Sequence, residues 1–150
     1  MRNSFYLVFT ILIPSISFSQ TTDKNSNSEQ VLKILCDNKF FEKCEIPVDF
    51  KYGKKAVEVS MTNYLKGTNA QFQNGKAIFM FIVANDAKVY NVELKSGNIA
   101  SDSNIIKALQ QTAGLWEVGK QNSYSICSYV RLEVELIENR VTVNMVKPKY

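Results

Sequence analysis

Three cysteines, one close-set pair of glutamates and the absence of histidine bound the chemistry open to this chain. Cys36 and Cys44 enclose the seven residues Asp-Asn-Lys-Phe-Phe-Glu-Lys, and in an oxidising compartment such a pair more often bridges than stays free. Eight positions along a single helix would hold the two thiols about 12 Å apart at 1.5 Å per residue, beyond disulfide reach. A Cys36–Cys44 bridge therefore requires the chain to turn between them, and the competing arrangement is two separately buried thiols. Cys127 is left over as a free cysteine, with no basic neighbour in the sequence to activate it. Glu133 and Glu135 alternate with apolar residues, so on a strand they line its solvated face and serve solubility rather than general acid–base work.

No histidine occurs among the 150 residues. That removes Ser-His-Asp and Cys-His nucleophile pairs and the usual zinc ligand sets, and the spacing of the cysteines does not form a structural zinc site either. Gly75, Gly97, Gly114 and Gly119 each stand alone, so there is no glycine-rich phosphate loop. The expectation is a protein with no catalytic residues, no metal and no cofactor; a thiol-dependent enzyme built on Cys127 is the rival from the enzyme class. The formal charge of +4, with 18 basic and 14 acidic residues interspersed along the chain, argues against a nucleic-acid partner.

These residues need a compartment and a scaffold. Arg2 precedes an uncharged apolar stretch from Tyr6 to Phe18, too short to span a bilayer comfortably. It ends in Ser17-Phe18-Ser19, a small-x-small pattern that suits a signal peptidase. Residues 1–19 read as a signal peptide cleaved between Ser19 and Gln20, which places the chain in the periplasm or outside the cell. An uncleaved segment would instead make it a membrane anchor. No cysteine directly follows the apolar stretch, which argues against a lipoprotein. What remains is one domain's worth of chain.

Residues 20–53 form a polar leader and a short disulfide-containing extension. Gln20 to Ser28 is small, polar and without period. Ser28 caps a short helix in which Val31, Leu32 and Leu35 share a face, and an irregular, partly buried connection follows to Tyr52. Residues 54–150 form the main domain. Val57, Met61, Tyr64 and Leu65 recur at helical spacing from Lys54 to Leu65 and Gly67 stands where a terminator would, although Ala-Val-Glu-Val-Ser also alternates like a strand. Lys76 to Ala84 is almost continuously apolar, as in a central strand. Asn-Asp-Ala-Lys then turns into Val89 to Lys95, where Tyr90, Val92 and Leu94 alternate with polar residues, which reads as a hairpin.

Asp102 or Ser103 caps a helix from Asn104 to Thr112 with Ile105, Ile106 and Leu109 as its stripe, and Gly114 ends it before Trp116. The run from Tyr124 to Leu136 alternates, with Ile126, Val130, Leu132, Val134 and Leu136 on the core side and Cys127, Tyr129, Arg131, Glu133 and Glu135 on the wet side. A last strand, Val-Thr-Val-Asn-Met-Val, closes the chain. The element order predicts an α+β fold: an antiparallel sheet of three to four strands with two helices on one side, plus a short N-terminal helical extension. Such a sheet has edges, and edges accept extended peptides through main-chain hydrogen bonds.

From Lys54 to Glu138 the chain resembles the C-terminal domain of TonB, the periplasmic energy transducer. The carriers are Gly75 to Gly97 (GKAIFMFIVANDAKVYNVELKSG), the helix Asp102 to Thr112 (DSNIIKALQQT) and Leu115 to Leu136 (LWEVGKQNSYSICSYVRLEVEL). Trp116, Gly119, Lys120 and Gln121 match the family's tryptophan and Gly-Lys turn. The family's proline soon after the tryptophan is absent, with Glu117 and Val118 in its place; Ala87 stands where the turn usually has glycine, and there is no Pro-rich spacer. The resemblance implies a domain that binds an extended segment of an outer-membrane transporter, or another envelope protein, by strand addition, and that is able to pair with itself. The residues expected at that contact are Lys120, Gln121, Tyr129, Arg131, Glu133 and Glu135, through the backbone of the closing strand. A structural envelope protein that uses the fold only as a scaffold is the alternative. Trp116 is expected to plug the gap between helix and sheet; its alternative role is an exposed anchor for a partner.

Overall fold

The computed structural model describes residues 24–68, 72–99, 103–138 and 140–147. The elements run α1 (Lys24–Cys36), β1 (Asp49–Phe50), α2 (Lys54–Gly67), β2 (Gly75–Val83), β3 (Val89–Gly97), α3 (Ser103–Gln110), β4 (Trp116–Glu117), β5 (Gly119–Gln121), β6 (Tyr124–Ile126), β7 (Ser128–Ile137) and β8 (Arg140–Met145). The fold class is α+β. Its centre is a four-stranded sheet of order β3-β2-β7-β8 in which every neighbouring pair is antiparallel; β1 pairs with β4, and β5 with β6. The expected signal peptide and its cleavage point lie outside the described residues.

One face of the sheet carries the main core. Ala77, Phe79, Phe81 and Val83 of β2 and Val130, Leu132, Val134 and Leu136 of β7 pack there against Val57, Met61 and Leu65 of α2 and Ile105, Ala108 and Leu109 of α3. Helical spacing of large apolar residues against this face outweighs the β-branched bias of Ala56 to Ser60, and α2 forms. Gly67 stays within the helix, and Thr68 closes it: its hydroxyl donates to the Leu65 carbonyl at 2.7 Å. Trp116 is 1 % exposed. Its ring lies 5.2 Å from Phe50 and 5.4 Å from Phe81, and its indole N–H donates to the Thr112 hydroxyl at 2.8 Å, so both the apolar body and the polar edge are satisfied.

The opposite face is covered at one end only. Leu32 and Cys36 of α1 pack there with Ile82, Ala84 and Cys127, and with half-buried Tyr90 and Tyr129. The expected Cys36–Cys44 bridge is not formed. Cys36 is bonded to Cys127, 91 residues away in sequence, with the α-carbons 5.6 Å apart, and Cys44 is the free thiol. Cys36 ends α1 on its buried side, so its natural partner is a residue of the sheet beneath and not one beyond the turn. Cys127 is correspondingly buried rather than on a wet face.

Three further expectations shift. α1 begins at Lys24 and not at Ser28, so residues 24–28 of the supposed leader are helical. The run from Tyr124 to Leu136 is two strands in different sheets, broken at Cys127. Tyr90 does not share a face with Val92 and Leu94: Asn91 adopts a left-handed φ of 49° at a break in the β2–β3 register, and the bulge sends Tyr90 to the α1 side. Ala87 also lies in the left-handed region, at φ 59°. It closes a three-residue hairpin loop in which its N–H donates to the Ala84 carbonyl at 2.9 Å and the Ala84 N–H to the Lys88 carbonyl at 3.1 Å, the position that usually takes glycine.

Candidate partner-binding site

The residues expected at the contact are not on a free edge. Tyr129, Arg131, Glu133 and Glu135 lie on β7, which is interior to the sheet: β2 pairs along its full length on one side, and β8 pairs from Leu132 to Ile137 on the other. The remaining end is taken as well. Phe41 donates to the Cys127 carbonyl at 3.0 Å and accepts from the Tyr129 N–H at 2.9 Å, and the Val146 N–H donates to the Arg131 carbonyl at 2.9 Å. The backbone of the closing strand is thus spent, a consequence of β8 folding back beside it. The side chains line the outer face, where Lys76 meets Glu133 at 2.9 Å; this contact holds the Glu133 carboxyl below its ordinary range and the Lys76 amine above its own.

Lys120 and Gln121 sit apart, on β5. Lys120 exchanges main-chain hydrogen bonds with Ile46 at 2.8 and 3.1 Å. The Gln121 side chain pairs with Glu45, whose carboxylate also accepts from the Asn122 N–H at 2.9 Å. Gly119 allows the close approach there: a Cβ would come within 2.5 Å of the Ser128 hydroxyl and 3.2 Å of the Cys44 sulfur, so those side chains would have to shift. The Gly-Lys turn therefore clamps the 41–48 connection to the sheet.

The two true edges are β8 and β3. Along β8 the N–H of Val141 donates to the Thr62 hydroxyl at 3.0 Å, and that of Val143 to the Glu58 carboxylate at 3.3 Å. Glu58 is 5 % exposed and lies 4.0 Å from Lys54 and 3.4 Å from Lys55, so its buried charge is paired as well as hydrogen-bonded. Lys54 also donates to the Asn144 side chain at 3.2 Å. Helix α2 thereby takes the place of a neighbouring strand.

Along β3 the pattern differs. Lys76 and Ala84 bond toward β3 through the Asn98 N–H and the Lys88 carbonyl, so even-numbered residues of β2 face that strand. Val89 and Leu94 stand opposite the odd-numbered Val83 and Phe79, and alternation turns their N–H and C=O groups outward. Among the described residues nothing bonds to them there. At Val89 this edge floors a cleft of about 340 Å³, walled by Asn27, Ser28 and Val31 of α1 and by Gln110 and Ala113 at the end of α3. Tyr90 flanks the floor and its hydroxyl donates to Asp86 at 2.9 Å. Partial burial and that carboxylate push the phenol up to about 12.

Glu58, Thr62, Val89 and the Tyr90–Asp86 pair were not singled out from sequence. Only Glu58 left a trace there: it is a charge at i, i+3 and i+7 to Met61 and Leu65, inside the apolar stripe of α2. Among the described residues no group of three or more His, Cys, Asp or Glu is placed to hold a metal, and no helix is long and apolar enough to cross a membrane. What the site offers is main-chain hydrogen bonding beside a shaped cleft. Comparison with protein-family models, curated proteins and solved structures finds no match for the chain.

Proposed function

We propose that this is an exported, periplasmic or secreted, protein-binding domain of the TonB C-terminal type, which takes a short extended segment of an outer-membrane transporter or another envelope protein as an added strand. The observation that carries the reading is the cleft at Val89, where the outward-facing main-chain groups of that residue lie between two walls, a starting point for strand addition. The buried Cys36–Cys127 bridge suits an oxidising compartment. The hairpin, helix and hairpin order of β2–β3, α3 and β7–β8 agrees with the resemblance. The seat of binding moves from β7 to β3, because β7 has no free backbone to give.

The second reading, an envelope scaffold without a strand partner, is favoured by the bulges that break the β3 register, since bulges discourage pairing at edges. A photo-crosslinking residue at Gln110, on the cleft wall, separates the two when outer-membrane fractions are added. The binding reading expects one discrete adduct that disappears when Ala113→Trp fills the cleft, with the folded state otherwise unchanged. Adducts equally abundant from a probe at exposed Tyr124, or insensitive to Ala113→Trp, would leave the scaffold reading in place.

A further inference from the structure

The two walls of the Val89 cleft are held differently. Gln110 and Ala113 stand at the end of α3, whose Ile105, Ala108 and Leu109 belong to the main core. The other wall, Asn27, Ser28 and Val31, belongs to α1, and among the described residues of that helix only Leu32 and Cys36 are buried. The small cluster beneath α1 shares no residue with the main core on the other face of the sheet. Besides the Cys36–Cys127 bridge, the Asn85 side chain donates to the Leu35 carbonyl at 2.8 Å. Directly after the helix, Asp37 and Asn38 both lie in the left-handed region, at φ 49° and 55°. From Phe41 onward the chain is fixed again, with Phe41 bonded to Cys127 and Tyr129, and Ile46 to Lys120. Helix α1 is thus a separately hung wall with a joint at its base.

We infer that Cys36 and Cys127 form a redox latch: oxidation docks α1 and completes the cleft, whereas the dithiol chain keeps its sheet and main core but lacks the α1 wall. The consequence for binding rests on the cleft being the binding seat, as proposed above; the release of α1 is measurable with no partner present. A helix of 13 residues is marginal in water when it stands alone, and one buried leucine beside the cysteine does little to offset the ordering of its residues. In the dithiol state α1 leaves the sheet and melts as far as Asp37 and Asn38, where the main-chain ties of Phe41 and Ile46 stop the loss. The left-handed pair relaxes in the same event.

Closing the latch uses an external disulfide, the class of oxidant that an oxidising compartment supplies. The Cys36 thiolate attacks one sulfur of that disulfide and expels the other as a thiolate. The Cys127 thiolate then attacks the Cys36 sulfur of the mixed disulfide and expels the second thiolate. The two cysteines give up two electrons and two protons, and the oxidant ends as two thiols. With α1 docked, Cys36 is 6 % and Cys127 1 % exposed, so an external thiolate reaches the bridge only when α1 opens. The cleft is made on oxidation and protected once made.

The test compares the chain in a Cys44→Ser background, either oxidised with glutathione disulfide or refolded in excess dithiothreitol. Amide exchange from Ser28 to Cys36 is expected to quicken on reduction at least about tenfold more than exchange from Val57 to Leu65 in α2. Trp116 should keep its near-ultraviolet signature, and reoxidation should restore α1. Equal quickening in the two helices, α1 amides that stay protected in the dithiol chain, or a Trp116 that loses its fixed environment would each overturn the inference. When outer-membrane fractions are added, the photo-adduct at Gln110 is expected from the oxidised chain alone. An adduct undiminished in the dithiol chain would show a cleft that needs no α1 wall and would overturn the latch. No adduct from either form, with α1 released on reduction as expected, would support the latch and count against the binding reading.

Discussion

Where β8 meets α2, the outward amides of Val141 and Val143 end on Thr62 and Glu58, whereas the outward groups of Val89 and Leu94 on β3 meet no described residue. The first edge is closed by chemistry: a buried carboxylate and a hydroxyl occupy the positions a partner strand would need, and removing them means undocking a helix that is part of the main core. The second edge is shaped rather than closed. Bulges at Asn91 and before Ser96 and the Glu93–Lys95 ion pair limit what can pair there without satisfying the strand. Among the described residues the two edges thus differ in kind, with β8 capped by side chains of α2 and β3 carrying main-chain groups that no described residue meets.

The most severe way to perturb the contrast is to cut the tie that holds α1 beside β3. Replacing Cys36 and Cys127 together by alanine should cost about 4.6 kcal/mol, the loop-closure contribution of a bridge spanning 91 residues, read as a fall in the denaturation midpoint. Amide exchange would localise the effect. Ile82 to Tyr90 should lose more protection than Val141 and Val143, because α2 and not α1 guards β8 while the loss of global stability is shared; equal loss at both edges would show that the bridge does not hold β3 locally. Glu58→Ala probes the opposite side. It strands the buried Val143 amide and should cost about 2 kcal/mol, with Glu58→Gln, which keeps an acceptor, costing less. No change in Glu58→Ala would mean that the β8 edge is closed by packing alone.

The same contrast explains what could be read in advance. Elements whose residues repeat against one face were legible: α2 from Val57, Met61 and Leu65, β2 from its apolar run, β7 from Val130 to Leu136. Periodicity reports burial, and burial decided those segments. The bridge was not legible, because pairing Cys36 with Cys127 depends on α1 crossing to the far face of the sheet, and nothing local encodes that. The available edge was misplaced for a related reason. Strand alternation shows which side chains face water but not which strand lies between neighbours, so the wet face of β7 has the pattern of a binding strand although β2 and β8 flank it. Glu58 broke the stripe of α2 and was the one sequence feature that pointed to the guarded edge.

The finest probe of the asymmetry is titration, since Tyr90 belongs to the β3 edge alone. Burial and the bond to Asp86 raise its phenol from 10.0 to about 12 in the folded chain, whereas an unfolded phenol ionises near 10. Below pH 10 both states hold the proton and this group imposes no pH dependence. Between pH 10 and about 12 the unfolded state gives up its proton while the folded state keeps it, so stability falls as pH rises through that window. Tyr90→Phe should remove this part of the alkaline slope in denaturant midpoints and also the last-titrating phenolate in absorbance near 295 nm. Asp86→Asn should pull that phenolate earlier while leaving burial in place. An alkaline slope unchanged in Tyr90→Phe would mean that the hairpin end of β3, the floor of the cleft, is not held by the Tyr90–Asp86 bond.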